Sequence, residues 1–387
     1  MPSSSVSKED SESSFFEGKR PWSRIKDRIL ELYMTPYLRK VATLGKPIVL
    51  VDCFAGPGKF KDGSEGSPLI MCTRAEENVP GKYMALFVNK EKNHHTTLVE
   101  TLSAYIEKKV AFPILGSARE LLRALKDMVD EGTLFVYLDP FGLQGCEFDL
   151  IRPLLERGTS QSTEIVINVS MPTLHRFAAR HAVEEGRSDD SQIKWRHESL
   201  TKVLGGEYWK EIMFDSKLTA SEREEKVMEG YRKLLQSYLP FSGSCPVQAR
   251  RLSRIKYYVT FCSRHPDALL LMNDIMLSAY HGYMHRLELE EEIPLFAEAF
   301  PSWRDEHYST VRGELKAITY DSICKCPGRI RTTIWGLILR SHFMRFDSWE
   351  FRKVVDELVE EGKIESPTAR KTKRLNDYCI LVPKRSN

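Results

Sequence analysis

The stretch 47–60, Pro-Ile-Val-Leu-Val-Asp-Cys-Phe-Ala-Gly-Pro-Gly-Lys-Phe, constrains the fold more than any other part of the chain. Its apolar run is broken only by Asp52, the pattern of a strand buried on both faces in a parallel sheet covered by helices. Gly56 and Gly58 end the run, and Pro57 stiffens the turn between them. Glycines accept dihedrals closed to other residues and let backbone amides approach a ligand. Such a turn either cradles a ligand or simply packs a strand against the next helix, and these residues alone allow both.

Further strand-like runs at 83–88, 110–115, 134–138 and 164–169 alternate with stretches of helical period at 67–77, 96–108, 118–129 and 148–157. That alternation predicts a mostly parallel α/β sheet with helices on both faces, binding ligands beyond the carboxyl ends of its strands. Upstream, Ile25, Ile29, Leu30, Leu32 and Tyr33 predict an amphipathic helix leading to Pro36, with a second helical stretch over 37–44. Ser67, followed by Pro68, reads as a helix N-cap. Residues 171–248 are charged and helical in pattern and read as an insertion or lid. A late strand at 255–262 and a helix over 267–278 would complete a first domain spanning 21–290, ahead of a connecting segment at 291–327. The Ser- and Glu-rich residues 1–20 have little to bury and read as a disordered segment.

The run Val51-Asp-Cys-Phe-Ala-Gly-Pro-Gly-Lys-Phe60 resembles the first motif of class I S-adenosylmethionine methyltransferases. The resemblance implies a Rossmann-like fold in which the turn Phe54, Ala55, Gly56 and Gly58 lies against the cofactor and Asp52 helps hold its amino group. The longer string 51–69, with Lys26-Asp-Arg-Ile-Leu30, Leu138-Asp-Pro-Phe-Gly142 and Tyr257-Tyr-Val-Thr-Phe-Cys-Ser-Arg-His265, resembles the three-Cys-motif partner family of bacterial proteins. Membership would imply a methyltransferase-like fold and a partner protein carrying three cysteines. The tetrapeptide Asp139-Pro140-Phe141-Gly142 is similar to one in tRNA guanine N2,N2-dimethyltransferases. That likeness implies that Asp139 orients an exocyclic amine, with Pro140 beside it, and that Phe141 stacks on the base. The alternative is that Asp139 caps a turn and Phe141 belongs to the core.

Two positions depart from the methyltransferase pattern. Asn89, with Glu91 two residues on, stands where an acid usually binds the ribose hydroxyls, and Ser117 where an acid often meets the adenine amine. A domain that keeps the fold without catalysis therefore remains open. His94-His95, His175, His181 and the lone pair Cys324-Lys-Cys326 lack the companions of a zinc site, so no metal is expected.

The C-terminal residues 328–387 predict a winged-helix-like domain: an apolar helix over 333–343, then an Asp347-Ser-Trp-Glu350 capping box. A stripe of Phe351, Val354, Val355, Leu358 and Val359 follows, and then a hairpin around Arg370, Lys371, Lys373 and Arg374. From 329 to the end there are 13 Lys/Arg and 8 Asp/Glu, a local +5 in a chain whose 57 basic and 54 acidic residues leave only +3. The basic tip suits nucleic-acid phosphates, while the acidic second helix suits a protein partner. The scattered cysteines argue for a reducing interior rather than a disulfide framework, and no apolar run approaches a membrane span, so a cytoplasmic protein is expected.

Overall fold

The computed structural model describes residues 21–179, 190–250, 253–291, 303–368 and 375–384. The segment 1–20, His181 and the basic tip Arg370, Lys371, Lys373 and Arg374 lie outside the described residues. The chain divides into two compact units, 1–240 with 246–264, and 241–245 with 265–387.

The first unit opens with α1 (Pro21–Ala42), β1 (Ile48–Asp52), α2 (Ser67–Asn78) and β2 (Tyr83–Asn89). Then come α3 (Lys92–Thr101), α4 (Ser103–Glu107), β3 (Ala111–Leu115), α5 (Ala118–Met128) and β4 (Thr133–Leu138). After these follow α6 (Phe148–Leu155), β5 (Thr163–Ser170), α7 (Met171–Ala178), α8 (Asp190–Leu204), α9 (Tyr208–Met213) and α10 (Ala220–Gln236). The last strands of its sheet are β6 (Phe241–Gln248), whose residues 241–245 group with the second unit, and β7 (Ile255–Ser263). The strands form one sheet in the order β3-β2-β1-β4-β5-β7-β6, parallel from β3 to β5, with β7 antiparallel to β5. This is the Rossmann-like, methyltransferase-type sheet expected from the sequence. Its order reverses between β1 and β4, which places a crevice at their carboxyl ends.

Side chains alternate between the faces of a strand. On one face Tyr33 and Tyr37 of α1 pack on Phe135 with ring centroids at 6.1 and 5.3 Å, and Tyr33 meets Phe261 edge-on. On the other, Val49, Val51, Val136, Leu138 and Ile165 share a core with Leu121, Leu122 and Leu125 of α5 and Ile151 and Leu154 of α6. That core continues into Leu200, Leu204, Trp209, Val227, Tyr231 and Leu235. The helices α8 to α10 are therefore part of the body of this unit, so of the two readings of 171–248, insertion or lid, the packing speaks against the lid.

Two other expectations change. α1 runs unbroken through Pro36, where two helices were expected. A proline inside a helix costs about 3 kcal/mol, but the buried stripe Met34, Tyr37, Leu38 and Val41 continues across it. Each such side chain contributes roughly 1.5–3 kcal/mol, so packing wins. The strand β6 went unseen because Gly243 and Pro246 interrupt Phe-Ser-Gly-Ser-Cys-Pro-Val-Gln, and both residues argue against a strand when read locally.

The second unit contains α11 (Pro266–Glu291), α12 (Trp303–Lys325), β8 (Arg329–Ile330), α13 (Arg331–His342), α14 (Ser348–Glu360), β9 (Ile364–Glu365) and β10 (Ile380–Pro383). The helix α11 groups with this unit, although the sequence suggested that it closes the first domain. The short strands pair antiparallel in the order β8-β10-β9. Trp335 of α13 stacks on Phe351 of α14 at 4.7 Å, inside a core that includes Leu315, Val354, Val355, Leu358 and Leu381. Half of the expected capping box is made. Asp347 accepts from Glu350 N, but the Glu350 carboxylate, 3% exposed, turns to Arg304 and Arg312 on α12. Among the described residues, no helix is long and apolar enough to cross a membrane.

Candidate active site

The carboxyl ends of β1 and β4 carry the two acids singled out by the sequence. Asp52 ends β1 opposite Tyr137 of β4, and Asp139 follows two residues after Tyr137, on the same face. They therefore share one rim of the sheet, beneath the first turns of α1.

Asp52 is wholly buried. Its Oδ1 accepts from Phe54 N at 2.9 Å and its Oδ2 from Ser67 Oγ at 2.6 Å. Burial pushes this carboxyl up to about 7, against the pull of the Ser67 and Phe54 hydrogen bonds and with a push from Asp139 and Asp27. Asp52 thus fastens the turn after β1 to the start of α2. Ser67 is not the N-cap of α2. Gly66 holds that position without a side-chain cap, and the Ser67 hydroxyl is drawn to Asp52 instead.

Gly58 has φ +80, and a Cβ there would stand 3.0 Å from Thr101 Cγ2 and 3.2 Å from Leu98 Cδ1. Its missing side chain makes room for α3, so at this residue the turn packs strand against helix. Ala55 is buried, and its backbone is tied to β2 through Ala55 N to Val88 O at 2.9 Å. Gly56 and Phe54 are partly exposed, and the Phe54 ring rests against Gly145, which follows β4.

Asn89 is buried, and both ends of its amide are engaged. Nδ2 donates to Ala55 O at 2.5 Å, and Oδ1 accepts from Glu91 N at 2.8 Å. It braces the ends of β1 and β2. Glu91, at the N-terminus of α3, keeps an open carboxylate loosely paired with Lys90 at 3.7 Å. Ser117 caps α5 in a reciprocal box with Glu120, in which Ser117 Oγ accepts from Glu120 N and Glu120 accepts from Ser117 N. The Ser-Ala-Arg-Glu spacing at 117–120 carried that signal in the sequence.

Asp139 does not cap a turn. Its Oδ2 takes the Lys26 ammonium of α1 at 2.5 Å, with the two side chains 29% and 9% exposed. The same ammonium lies 4.7 Å from the centre of the Tyr257 ring on β7. Phe141 is 57% exposed, so it is not a core residue, and Pro140 between them is half-exposed. One residue beyond the Leu138–Ile167 register, Asp139 stands beside Asn168 of β5, whose Nδ2 donates to the Tyr137 hydroxyl at 3.2 Å. Burial raises the Cys53 and Cys146 thiols far above the usual range, which keeps them neutral packing groups rather than nucleophiles.

Lys26, Asn168 and Tyr257 had not been assigned roles at this site. Lys26 and Tyr257 stood only inside strings quoted for resemblance, and a single lysine on an amphipathic helix carries no local mark of a partner 113 residues away. A cleft of about 560 Å³ lies along α8 and α9, lined by Ile193, Lys194, His197, Glu198, Thr201, Lys202, Glu207 and Lys210. None of the candidate residues borders it. Among the described residues, no three His, Cys, Asp or Glu side chains gather as a metal site.

No family profile matches the chain, and no curated protein matches it. Solved structures do. A spermidine synthase from Thermotoga maritima matches at 9% identity and TM-score 0.31, over 64% of this chain and 61% of that one. An rRNA methylase from Streptococcus thermophilus matches at 11% identity and TM-score 0.29, over 59% of this chain and 91% of that one. A Methanococcus jannaschii fibrillarin pre-rRNA processing protein matches at 8% identity and TM-score 0.25, over 56% and 66%. The chain spans about three fifths of the length of the first solved structures it matches.

Proposed function

We propose that this chain is an S-adenosylmethionine-dependent methyltransferase acting on an exocyclic amine of a nucleic-acid base. The observation that carries this reading is the position of Asp139. It is a partly open carboxylate at the end of β4, one strand from the Gly56 turn and two residues before the exposed Phe141. The partly exposed Phe54 and Gly56 on either side of buried Ala55 fit the methionine end of the cofactor, and the open carboxylate of Glu91 fits its ribose hydroxyls. Asn89 and Asp52 would hold that cradle in shape from beneath. The bound cofactor would supply an electrophilic methyl group. Asp139 would take one N–H of the target amine and the Pro140 carbonyl the other, aiming the nitrogen lone pair, while Phe141 stacks on the base for about 1–3 kcal/mol. Asp139 would accept the proton that the amine gives up as its N–C bond forms and the S–CH3 bond breaks to leave a neutral thioether. Catalysis is otherwise alignment, with no covalent enzyme intermediate.

A second reading is favoured by one observation: Asn89 and Ser117, where acids for ribose and adenine were expected, are both engaged within the fold. On this reading the chain is a non-catalytic adaptor for a three-cysteine-motif enzyme. It would dock nucleic acid or protein through a winged-helix second unit, which the order α12-β8-α13-α14-β9-β10 supports. Transfer of labelled methyl from the cofactor to mixed nucleic acid separates the two. Transfer by the purified chain alone, lost in Asp139→Ala, supports the enzyme. Co-purification of a cysteine-motif partner, with unchanged activity of the complex after Asp139→Ala, supports the adaptor.

A further inference from the structure

The rim between β4 and β5 holds hydrogen-bonding capacity that the described residues leave partly unused. The Lys26 side chain is nine-tenths buried, yet among the described residues its three N–H donors meet only Asp139 Oδ2 and the Tyr257 ring face. Asp139 Oδ1 takes no hydrogen bond from any described residue. On the same face Asn168, 5% exposed, has its Oδ1 buried without a partner. Buried polar groups are rarely left unpaired, because each costs the desolvation it is not repaid. One such group, Asn168 Oδ1, shares a wall with the buried ammonium of Lys26, which has donors to spare, and with the half-open Asp139 carboxylate; together they point to a polar ligand.

We propose that Lys26 is a specificity-determining residue that reads the ring acceptor next to the target amine. This rests on the amine-methylation reading above and narrows its substrate. The pair presents an acceptor, Asp139 Oδ1, beside a donor, Lys26 Nζ. The complementary partner is an amidine edge, an amine N–H beside an unprotonated ring nitrogen. Adenine offers it at N6 and N1, cytosine at N4 and N3, and guanine at N2 and N3. Lys26 also holds Asp139 by its other oxygen, so the base does not have to displace the ion pair in order to bind. An acid alone would accept any amine. With the ammonium fixed beside it, an amine whose neighbouring atom is C–H leaves a buried donor unmatched.

The test is saturable binding, read by ligand-observed NMR, of three nucleoside pairs: adenosine with 1-deazaadenosine, cytidine with 3-deazacytidine, and guanosine with 3-deazaguanosine. Each pair keeps the amine and differs in the ring nitrogen. At least one parent is expected to bind about tenfold or more tightly than its analogue, since a hydrogen bond to a charged donor is of that size. Lys26→Met is expected to weaken the parent and erase the difference, with folding checked by thermal melting. The wild-type comparison needs no variant. Equal binding within all three pairs, no binding of any parent at millimolar concentration, or a difference that survives in folded Lys26→Met overturns the proposal. Cofactor binding is titrated separately. Discrimination without cofactor binding overturns methyl transfer alone, and cofactor binding without discrimination overturns the role of Lys26 alone.

Discussion

Two carboxyls sit almost wholly out of water at opposite ends of the sheet: Asp52 where β1 ends and Glu164 near the start of β5. Burial pushes Glu164 up to about 7, against the pull of hydrogen bonds from Tyr33 and Ser263. A carboxyl whose folded value lies above its unfolded one stabilises the fold fully below about 4.5, and that contribution is lost as pH rises through about 7. Relative to wild type, Glu164→Gln should therefore remove a fall in stability of roughly 3 kcal/mol between pH 4.5 and 8. Urea unfolding across that range checks it, and identical slopes for the two proteins would count against the assignment. Gly58 supplies a second test. Gly58→Ala forces a side chain at φ +80 against Thr101 and should cost about 1–3 kcal/mol in thermal or urea unfolding. At this scale the sequence marked Asp52, Asp139 and the glycines by local pattern alone, and the structure brings the two acids to one rim of the sheet. The sequence was silent on Lys26, whose role exists only once α1 is laid across β4.

At the scale of elements, β1, β4 and β5 were readable because strands buried on both faces leave continuous apolar runs. The strand β6 and the continuity of α1 were hidden because tertiary packing overrides local preference at Ser-Gly-Ser and at Pro36. The link between β1 and β2 separates a brace from a binding residue. Asn89 donates to Ala55 O, so Asn89→Asp would set a carboxylate against a carbonyl inside the protein. The expected outcome is a loss of about 1–3 kcal/mol in unfolding free energy, with no gain in cofactor affinity. Tighter cofactor binding in a stable Asn89→Asp protein would instead restore Asn89 to the ribose site.

At the scale of the whole molecule, the chain pairs a sheet-based unit carrying the candidate site with a smaller helical unit bearing a basic C-terminal segment. If that segment contacts phosphates, replacing Arg370, Lys371, Lys373 and Arg374 together by alanine should lower the slope of log affinity against log salt by about 3. Fluorescence anisotropy with a labelled oligonucleotide measures it, and an unchanged slope would move the nucleic-acid surface elsewhere. The central claim is that the half-open turn after β1 and the Asp139 rim form one site for a sulfonium nucleoside and an amine. Calorimetric titration of the folded chain with S-adenosylmethionine tests this most directly. One saturable site per chain, weakened at least tenfold by Glu91→Ala, is the predicted result. No heat of binding at millimolar cofactor, with the protein shown to be folded, would contradict it.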